Sequence, residues 1–286
     1  MKTEKTIFVT GGTGNQGGAV ARSLIHQGFK VKVLTRNVNS PKAQLLAAQS
    51  IELIQGDLNN PDTYRKQLEG VDGVFSVQTF ANGVGKEIDQ GFKLAEVSKD
   101  ARVSHFVYSS GIGASLNTGV PHYESKLKIE NYIKDLELPF TIIRPASLYE
   151  NFLIPQVRNG ILKGKLVQPL DPDLKQLMLG SADIGRVVSI VFSDKDLYLG
   201  KTITLSTEEL NMKEITELFS TVLGKKIVYQ KMPGILVRIF MGKNLYKMFK
   251  WSNEESEKQL NEMRSAVTEF PGSLSFKDWI TLHFTD

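Results

Sequence analysis

The chain has 286 residues, 41% of them hydrophobic, with a net charge of +4 and a pI of about 9.0. That is enough for one or two domains with a sizeable core, and the lack of cysteine excludes disulfides, thiolate catalysis and Cys-ligated zinc. No apolar run reaches the roughly 18 residues of a membrane span, the four scattered histidines (His26, His105, His122, His283) form no metal signature, and no charge block or RNA-binding motif accompanies the mild basicity. The expectations are a cytoplasmic protein with no signal peptide, and neither nucleic acid nor membrane as a partner.

The apolar run Thr6–Thr10 predicts a strand, followed by Gly11-Gly12-Thr13-Gly14-Asn15-Gln16-Gly17-Gly18, a helix from Ala19 to Gln27 closed by Gly28, and a second strand Val31–Thr35. Glycines at 11, 14 and 17 suit a sharp strand-to-helix turn, a close approach to a pyrophosphate and tight helix packing. The helix N-terminus behind them offers unpaired N–H groups to an anion. Strand, loop, helix and second strand in this order read as a dinucleotide site; the alternative is a Gly-rich loop that only turns the chain.

Arg36 follows the second strand, in Leu34-Thr35-Arg36-Asn37-Val38-Asn39-Ser40. Folds that select NAD carry Asp or Glu about 20 residues past the loop, to hold the ribose 2′-hydroxyl. None stands here. A 2′-phosphate carries roughly −1.5 to −2 charges; a guanidinium forks onto it, and Asn37 and Ser40 can donate further. The expectation is NADP(H) rather than NAD(H), against the alternative of an arginine on a solvated strand end.

Next come a Pro41-led helix, the strand Ile51–Ile54, a helix over Pro61–Leu68, the strand Gly73–Val77, a longer helix Lys86–Lys99, the strand His105–Ser109, the helix Pro121–Leu136 and the strand Phe140–Ile143. Such alternation predicts an α/β, Rossmann-type doubly wound parallel sheet. Glu124–Lys128 and Glu130–Lys134, four apart and acid-first, read as a solvated helix face. Beyond residue 150 the pattern loosens into a smaller mixed α/β lobe: a helix at Leu179–Ser193, a strand at Lys201–Leu205, a capping-box helix from Asn211, a strand over Lys225–Lys231, a helical region over 233–251 and a final helix Phe276–Phe284. The expected domains are 1–150, with 179–206 returning to it, and a C-terminal substrate or partner lobe from 151–178 and 207–286.

Over nearly its whole length the chain resembles the NmrA-like branch of the atypical short-chain dehydrogenases/reductases. The resemblance is carried by Thr10–Gly18, Thr35-Arg36-Asn37, Gln55-Gly56-Asp57, Val107-Tyr108-Ser109-Ser110-Gly111, His122-Tyr123-Glu124-Ser125-Lys126, and Arg144-Pro145 leading to Glu150-Asn151. Members similar to this sequence include fungal regulators of nitrogen metabolism, a mammalian NADPH sensor and bacterial NAD(P)H-dependent quinone reductases. The resemblance implies that Gly11, Gly12, Thr13, Gly14, Asn15, Gln16 and Gly17 hold the pyrophosphate, and Arg36, Asn37 and Ser40 the 2′-phosphate. It further implies Asp57 and Leu58 at the adenine, Gln78, Thr79 and Phe80 on the ribose and nicotinamide side, Lys126 on the nicotinamide ribose, and Leu148, Tyr149, Glu150 and Asn151 closing over the nicotinamide.

Reductases of the wider superfamily use a Tyr-x-x-x-Lys helix with an upstream Ser, the Lys lowering the Tyr pKa for proton donation. Here Lys126 is present and Ser109 or Ser110 fits the serine, but the tyrosine position is His122. Tyr123 is rotated about 100° round the helix and cannot stand in. His122 has three readings: a proton donor, working with Lys126 as a catalytic pair; a polar wall against cofactor or ligand; or an ordinary first-turn residue.

Two functions follow. One is an NADP(H)-binding redox sensor without tyrosine-dependent chemistry, acting on a regulatory protein through mobile loops at Phe80–Lys86 and Ile112–Val120. The other is an NAD(P)H-dependent oxidoreductase of quinones or similar electrophiles, with Phe80, Tyr149, Phe152 and Leu153 as pocket walls. A homodimer is compatible with either. The apolar and cationic stretch Ile235–Trp251 reads first as helices packed inward; a docking face for a partner or a membrane surface is its other reading.

Overall fold

A computed structural model describes residues 5–114 and 116–285. In chain order the elements are β1 (Thr6–Val9), α1 (Asn15–His26), β2 (Lys30–Thr35), α2 (Pro41–Ala47), β3 (Glu52–Gln55), β4 (Gly73–Ser76), α3 (Val84–Asp100), β5 (His105–Ser109), α4 (Pro121–Asp135), β6 (Phe140–Pro145), β7 (Ser147–Leu148), α5 (Pro155–Leu162), β8 (Lys165–Gln168), β9 (Gln176–Leu179), α6 (Ser181–Ser193), α7 (Lys195–Tyr198), β10 (Thr202–Leu205), β11 (Glu208–Leu210), α8 (Met212–Val222), β12 (Val228–Lys231), α9 (Gly234–Phe240), α10 (Gly242–Glu254), α11 (Ser256–Ser265) and α12 (Phe276–Phe284).

Two compact units are formed. The first holds residues 1–115, 122–144 and 181–203; the second holds 116–121, 145–180 and 204–286. The first is built on a seven-stranded sheet in the order β10-β6-β5-β4-β1-β2-β3. Consecutive strands from β3 to β6 pair in parallel, Phe8 opposite Lys32 on one side and Val74 on the other. All residues of β4 and β5 are buried, as expected of strands covered on both faces. Phe8, Tyr64, Leu68, Leu94, Phe106 and Ile133 belong to the core on one side of this sheet, and α6 packs against α1. This is the α/β Rossmann-type architecture.

The second unit carries two small sheets, β11-β9-β7 and β12-β8. Its core is a run of aromatic rings: Tyr149, Phe152, Phe219, Phe276, Trp279 and Phe284. The capping box of α8 is present, Asn211 accepting from the Glu214 amide at 2.9 Å while the Glu214 carboxylate accepts from the Asn211 amide at 2.8 Å.

Several expectations are corrected. Pro61–Leu68 is two short 3₁₀ turns, Pro61–Thr63 and Arg65–Leu68, the first capped by the Asn60 side chain. Glu130 does not lie on a solvated face: its side chain is fully buried against Arg144. The stretch over 233–251 forms α9 and α10; Val237 is buried and Phe249 packs against the core of the second unit, as the inward-packed reading expects, but Ile235, Leu236, Ile239 and Phe240 of α9 are exposed, which corrects that reading for α9.

Candidate functional site

The turn after β1 is shaped by contacts that only glycine permits. Gly11 has φ +65°, and a Cβ on Gly17 would sit 2.4 Å from the Thr10 carbonyl oxygen, so the first turn of α1 is pressed against the loop. The N-cap of α1 is Gly14, which offers no capping side chain, and the first turn contains no acid. Its leading amides and positive dipole end therefore have neither a side-chain acceptor nor a carboxylate competing for them. Thr10 is tied into the sheet, its hydroxyl donating to the Phe75 and Val77 carbonyls. Gln16 reaches across to β5, its Oε1 accepting from Ser109 at 2.6 Å.

Arg36 follows β2 directly; it is exposed, and no hydrogen bond or ion pair of its guanidinium occurs among the described residues. Around it the acceptors are spent locally and the donors are not. Asn37 Oδ1 accepts from the Asn39 amide at 2.9 Å, leaving its amide nitrogen, and Ser40 caps α2 by accepting from Ala43, leaving its hydroxyl hydrogen. This distribution suits an incoming phosphate. Asp57, after β3, already accepts at Oδ1 from both the backbone and the side chain of Asn59, at 2.9 and 2.7 Å. Leu58 beside it packs against the core.

At the end of β4, Gln78 is buried. Its Nε2 donates to Ser76 at 3.0 Å, while its Oε1 has no partner. Thr79 caps a single 3₁₀ turn, Phe80–Asn82, and the Phe80 ring stacks on His122 with centroids 4.4 Å apart and planes 20° from parallel. His122 is 4% exposed, and its Nδ1 also lacks a partner. Burial, and then the Lys126 ammonium, push its pKa down to about 4, so the ring is neutral at physiological pH. A neutral imidazole carries no readily released proton.

The largest departure from expectation concerns Lys126. Its ammonium is paired with Glu87 of α3 at 3.0 Å, and Glu87 is wholly buried. The other oxygen of Glu87 accepts from Ser125 at 2.5 Å. Glu87 has no place in the sequence reading, yet a signal exists. It begins the buried row Glu87, Gly91, Leu94, Ala95, Ser98 of α3, and a carboxylate at helical spacing with buried residues calls for a cation. A second buried carboxylate lies nearby in the same unit: Glu130 takes a two-pronged bond from Arg144, at 2.9 and 2.6 Å, and accepts from Ser110 at 2.5 Å. Both serines proposed for the upstream slot are thus engaged elsewhere. Neither nearby phenol is activated: burial raises Tyr123 to about 12, and burial with the carboxylates of Glu87 and Glu130 raises Tyr108.

Gly11–Gly17, Arg36, Asn37, Ser40, Asp57, Leu58, Gln78–Phe80, His122 and Lys126 all belong to the first unit. Leu148, Tyr149, Glu150 and Asn151 belong to the second. The Tyr149 ring is fully buried, 4.9 Å from Phe276 and 5.7 Å from Trp279, and its hydroxyl donates to Glu208. Phe152 packs on Phe219 and Phe276. Both are core side chains, which corrects the expectation that their rings wall a pocket. Leu153 is partly buried against the same core, Glu150 is buried, and Asn151 is exposed. In the second proposed mobile loop, Ser115 lies outside the described residues, and 116–121 group with the second unit. Among the described residues no cluster of metal-ligating side chains occurs.

Known proteins match this architecture. The NmrA-like family oxidoreductase malD of Malbranchea aurantiaca is 32% identical, the match spanning 97% of this chain and 96% of its own. The solved structure of NmrA, a negative transcriptional regulator, in complex with NADP aligns with a TM-score of 0.77 at 22% identity, over 99% of this chain and 96% of that one. The NADPH-dependent quinone oxidoreductase QOR2 of Escherichia coli, complexed with NADPH, aligns at 0.75 with 21% identity, over 98% and 100%. The description of the NmrA-like family fits residues 3–279, and the chain belongs to that family.

Proposed function

We propose that this chain is an NADP(H)-binding protein whose cofactor occupancy is read out by another protein, without tyrosine-dependent reductase chemistry. One observation carries this reading: Lys126, which in a Tyr-x-x-x-Lys relay would tune a phenol, is held by the buried Glu87. Ser109 and Ser110 are likewise bonded to Gln16 and Glu130, and His122 is neutral. Binding of the cofactor's phosphates needs none of these groups. The glycine turn and the N-terminus of α1 would take the pyrophosphate, and Arg36 with the donors of Asn37 and Ser40 the 2′-phosphate. Calorimetric titration with NADP⁺, NADPH, NAD⁺ and NADH tests the cofactor; equal affinity for phosphorylated and unphosphorylated forms would overturn the assignment. Limited proteolysis with and without NADPH tests the sensor, which predicts altered cleavage at 80–86 or 112–120. Identical cleavage patterns would count against it.

The second reading, an oxidoreductase of quinones or similar electrophiles, is favoured by the flat Phe80–His122 stack and by the likeness to the oxidoreductase malD. Bound NADPH would supply the hydride. The chain's part would be to present an aromatic face to a planar acceptor, whose protonation in water needs no strong protein acid. Stopped-flow loss of NADPH absorbance against a quinone panel separates the readings, and turnover would favour this one.

A further inference from the structure

Residues 232–253 contain four cations, Arg238, Lys243, Lys247 and Lys250, and no Asp or Glu. Four apolar side chains of α9 face solvent: Ile235 is 63% exposed, Leu236 39%, Ile239 65% and Phe240 76%. On α10, Lys243, Lys247 and Lys250 stand at i, i+4 and i+7, hence on one helix face, and all are exposed. Among the described residues, Lys250 is the one of these three that approaches a carboxylate, Glu254 at 3.9 Å. Val237 is buried and Phe249 packs against the core of the second unit; with Tyr246 and Lys250 they line a cavity of about 330 Å³. Ile235, Leu236, Ile239, Phe240, Lys243 and Lys247 are not among its lining residues.

We propose that α9 and the lysine face of α10 seat this protein on an anionic lipid surface, the apolar side chains of α9 entering the headgroup boundary and the cations meeting lipid phosphates. Adsorption of this kind scales with apolar area and with the attraction of basic residues to anionic lipid. It requires no spanning segment, and no helix among the described residues is long and apolar enough to be one. A second copy of the chain is a poor occupant, because a symmetric contact would set these cations against their equals. A folded partner of standard size needs a complementary face of about 800 Å² and roughly 20–30 residues on each side, whereas the exposed side chains here are four apolar ones of α9 and three lysines of α10. A bilayer adapts its shape to whatever enters.

The test is co-sedimentation of the full chain with phosphatidylcholine vesicles, pure or containing about 30 mol% phosphatidylglycerol. Binding is expected only to the anionic vesicles, with release at about 0.5 M salt, where the screening length falls to a few ångströms. A double variant, Ile239→Glu with Phe240→Glu, and a charge variant, Lys243→Glu with Lys247→Glu, should each weaken partition by about tenfold or more. All four positions are exposed, so thermal melts of both variants should match the parent. Failure to sediment with anionic vesicles overturns the proposal, as does binding that ignores lipid charge and both variants. Retention on polyglutamate without vesicle binding would assign the face to an acidic protein instead. A dimer in light scattering that the Phe240→Glu variant dissolves would assign it to a second copy.

Discussion

Two neighbourhoods at the carboxyl edge of the large sheet are built on opposite principles. Around the β1–α1 turn and Arg36, the hydrogen-bond donors are left without acceptors: an uncapped helix start, an unpaired guanidinium and a free serine hydroxyl hydrogen. Around α4 the polar groups are mostly engaged with one another, Glu87 holding Lys126 and Ser125, and Glu130 holding Arg144 and Ser110. Unspent donors are what an anion requires, whereas a proton relay requires groups free to exchange partners. The contrast sets unspent donors against satisfied ion pairs within one unit.

The sharpest way to break it is to unpair the second neighbourhood. Glu87→Ala leaves a largely buried ammonium without its counter-charge, and a loss of about 3–5 kcal/mol in unfolding free energy is expected from denaturant titration. Glu87→Gln should cost less, because it still accepts from Ser125. A comparable loss is expected for Glu130→Ala, which strands Arg144.

Next in size is the response to acid. His122 and His105 both have folded pKa values lowered to about 4, by burial first and then by lysine cations. The unfolded chain binds protons at these sites near pH 6.5 while the folded chain does not, so stability is fully present above about 6.5 and is lost as pH falls toward 4. Each histidine contributes up to about 3 kcal/mol across that window. Thermal melts from pH 7 to 4 should show the decline, and His122→Asn should remove its own share. A His122 Cε1–H resonance that titrates near pH 6.5 would contradict the assignment.

Arg36→Ala addresses the first neighbourhood. A lost charge-assisted contact of about 1.5–3 kcal/mol should raise the NADPH dissociation constant by roughly tenfold to a hundredfold and leave that of NADH unchanged. The smallest effect separates wall from acid. Where a quinone is reduced at all, His122→Ala should alter the rate at pH 7 by less than about threefold, since a neutral ring has no readily released proton. A loss of a hundredfold would restore the proton-donor reading.

Much of the first unit was legible in the chain. Buried parallel strands read as short apolar runs, and the boundaries His105–Ser109 are those observed; in the second unit the same holds of the helix Phe276–Phe284. The half-buried strands β7 and β11 and the partly exposed β8 are two to four residues each and carry no such run, while the apolar residues Leu177–Leu179 of β9 lead almost directly into α6. Their pairing depends on distant partners, which no local pattern displays. Glu130 was misleading for a local reason: spacing four from Lys134 suggests a surface pair, and only the arrival of Arg144 from the next strand shows otherwise. The 233–251 stretch failed differently. Its apolar residues surround α9, and periodicity cannot say which side is covered when Val237 alone turns inward.

The order of the strands also bears on how the molecule can be made. The first unit's sheet is completed by β10, and α1 is covered by α6, only after the chain has been through residues 145–180 of the other unit. A fragment ending near residue 150 would display the open edge of β6 and the bare flank of α1, and an unpaired strand edge invites aggregation. Ribosomal synthesis must hold that edge in waiting until β10 emerges, and pairing over such sequence distances is intrinsically slow. Neither unit is a contiguous piece of chain, so the protein should be expressed, engineered and truncated as a whole.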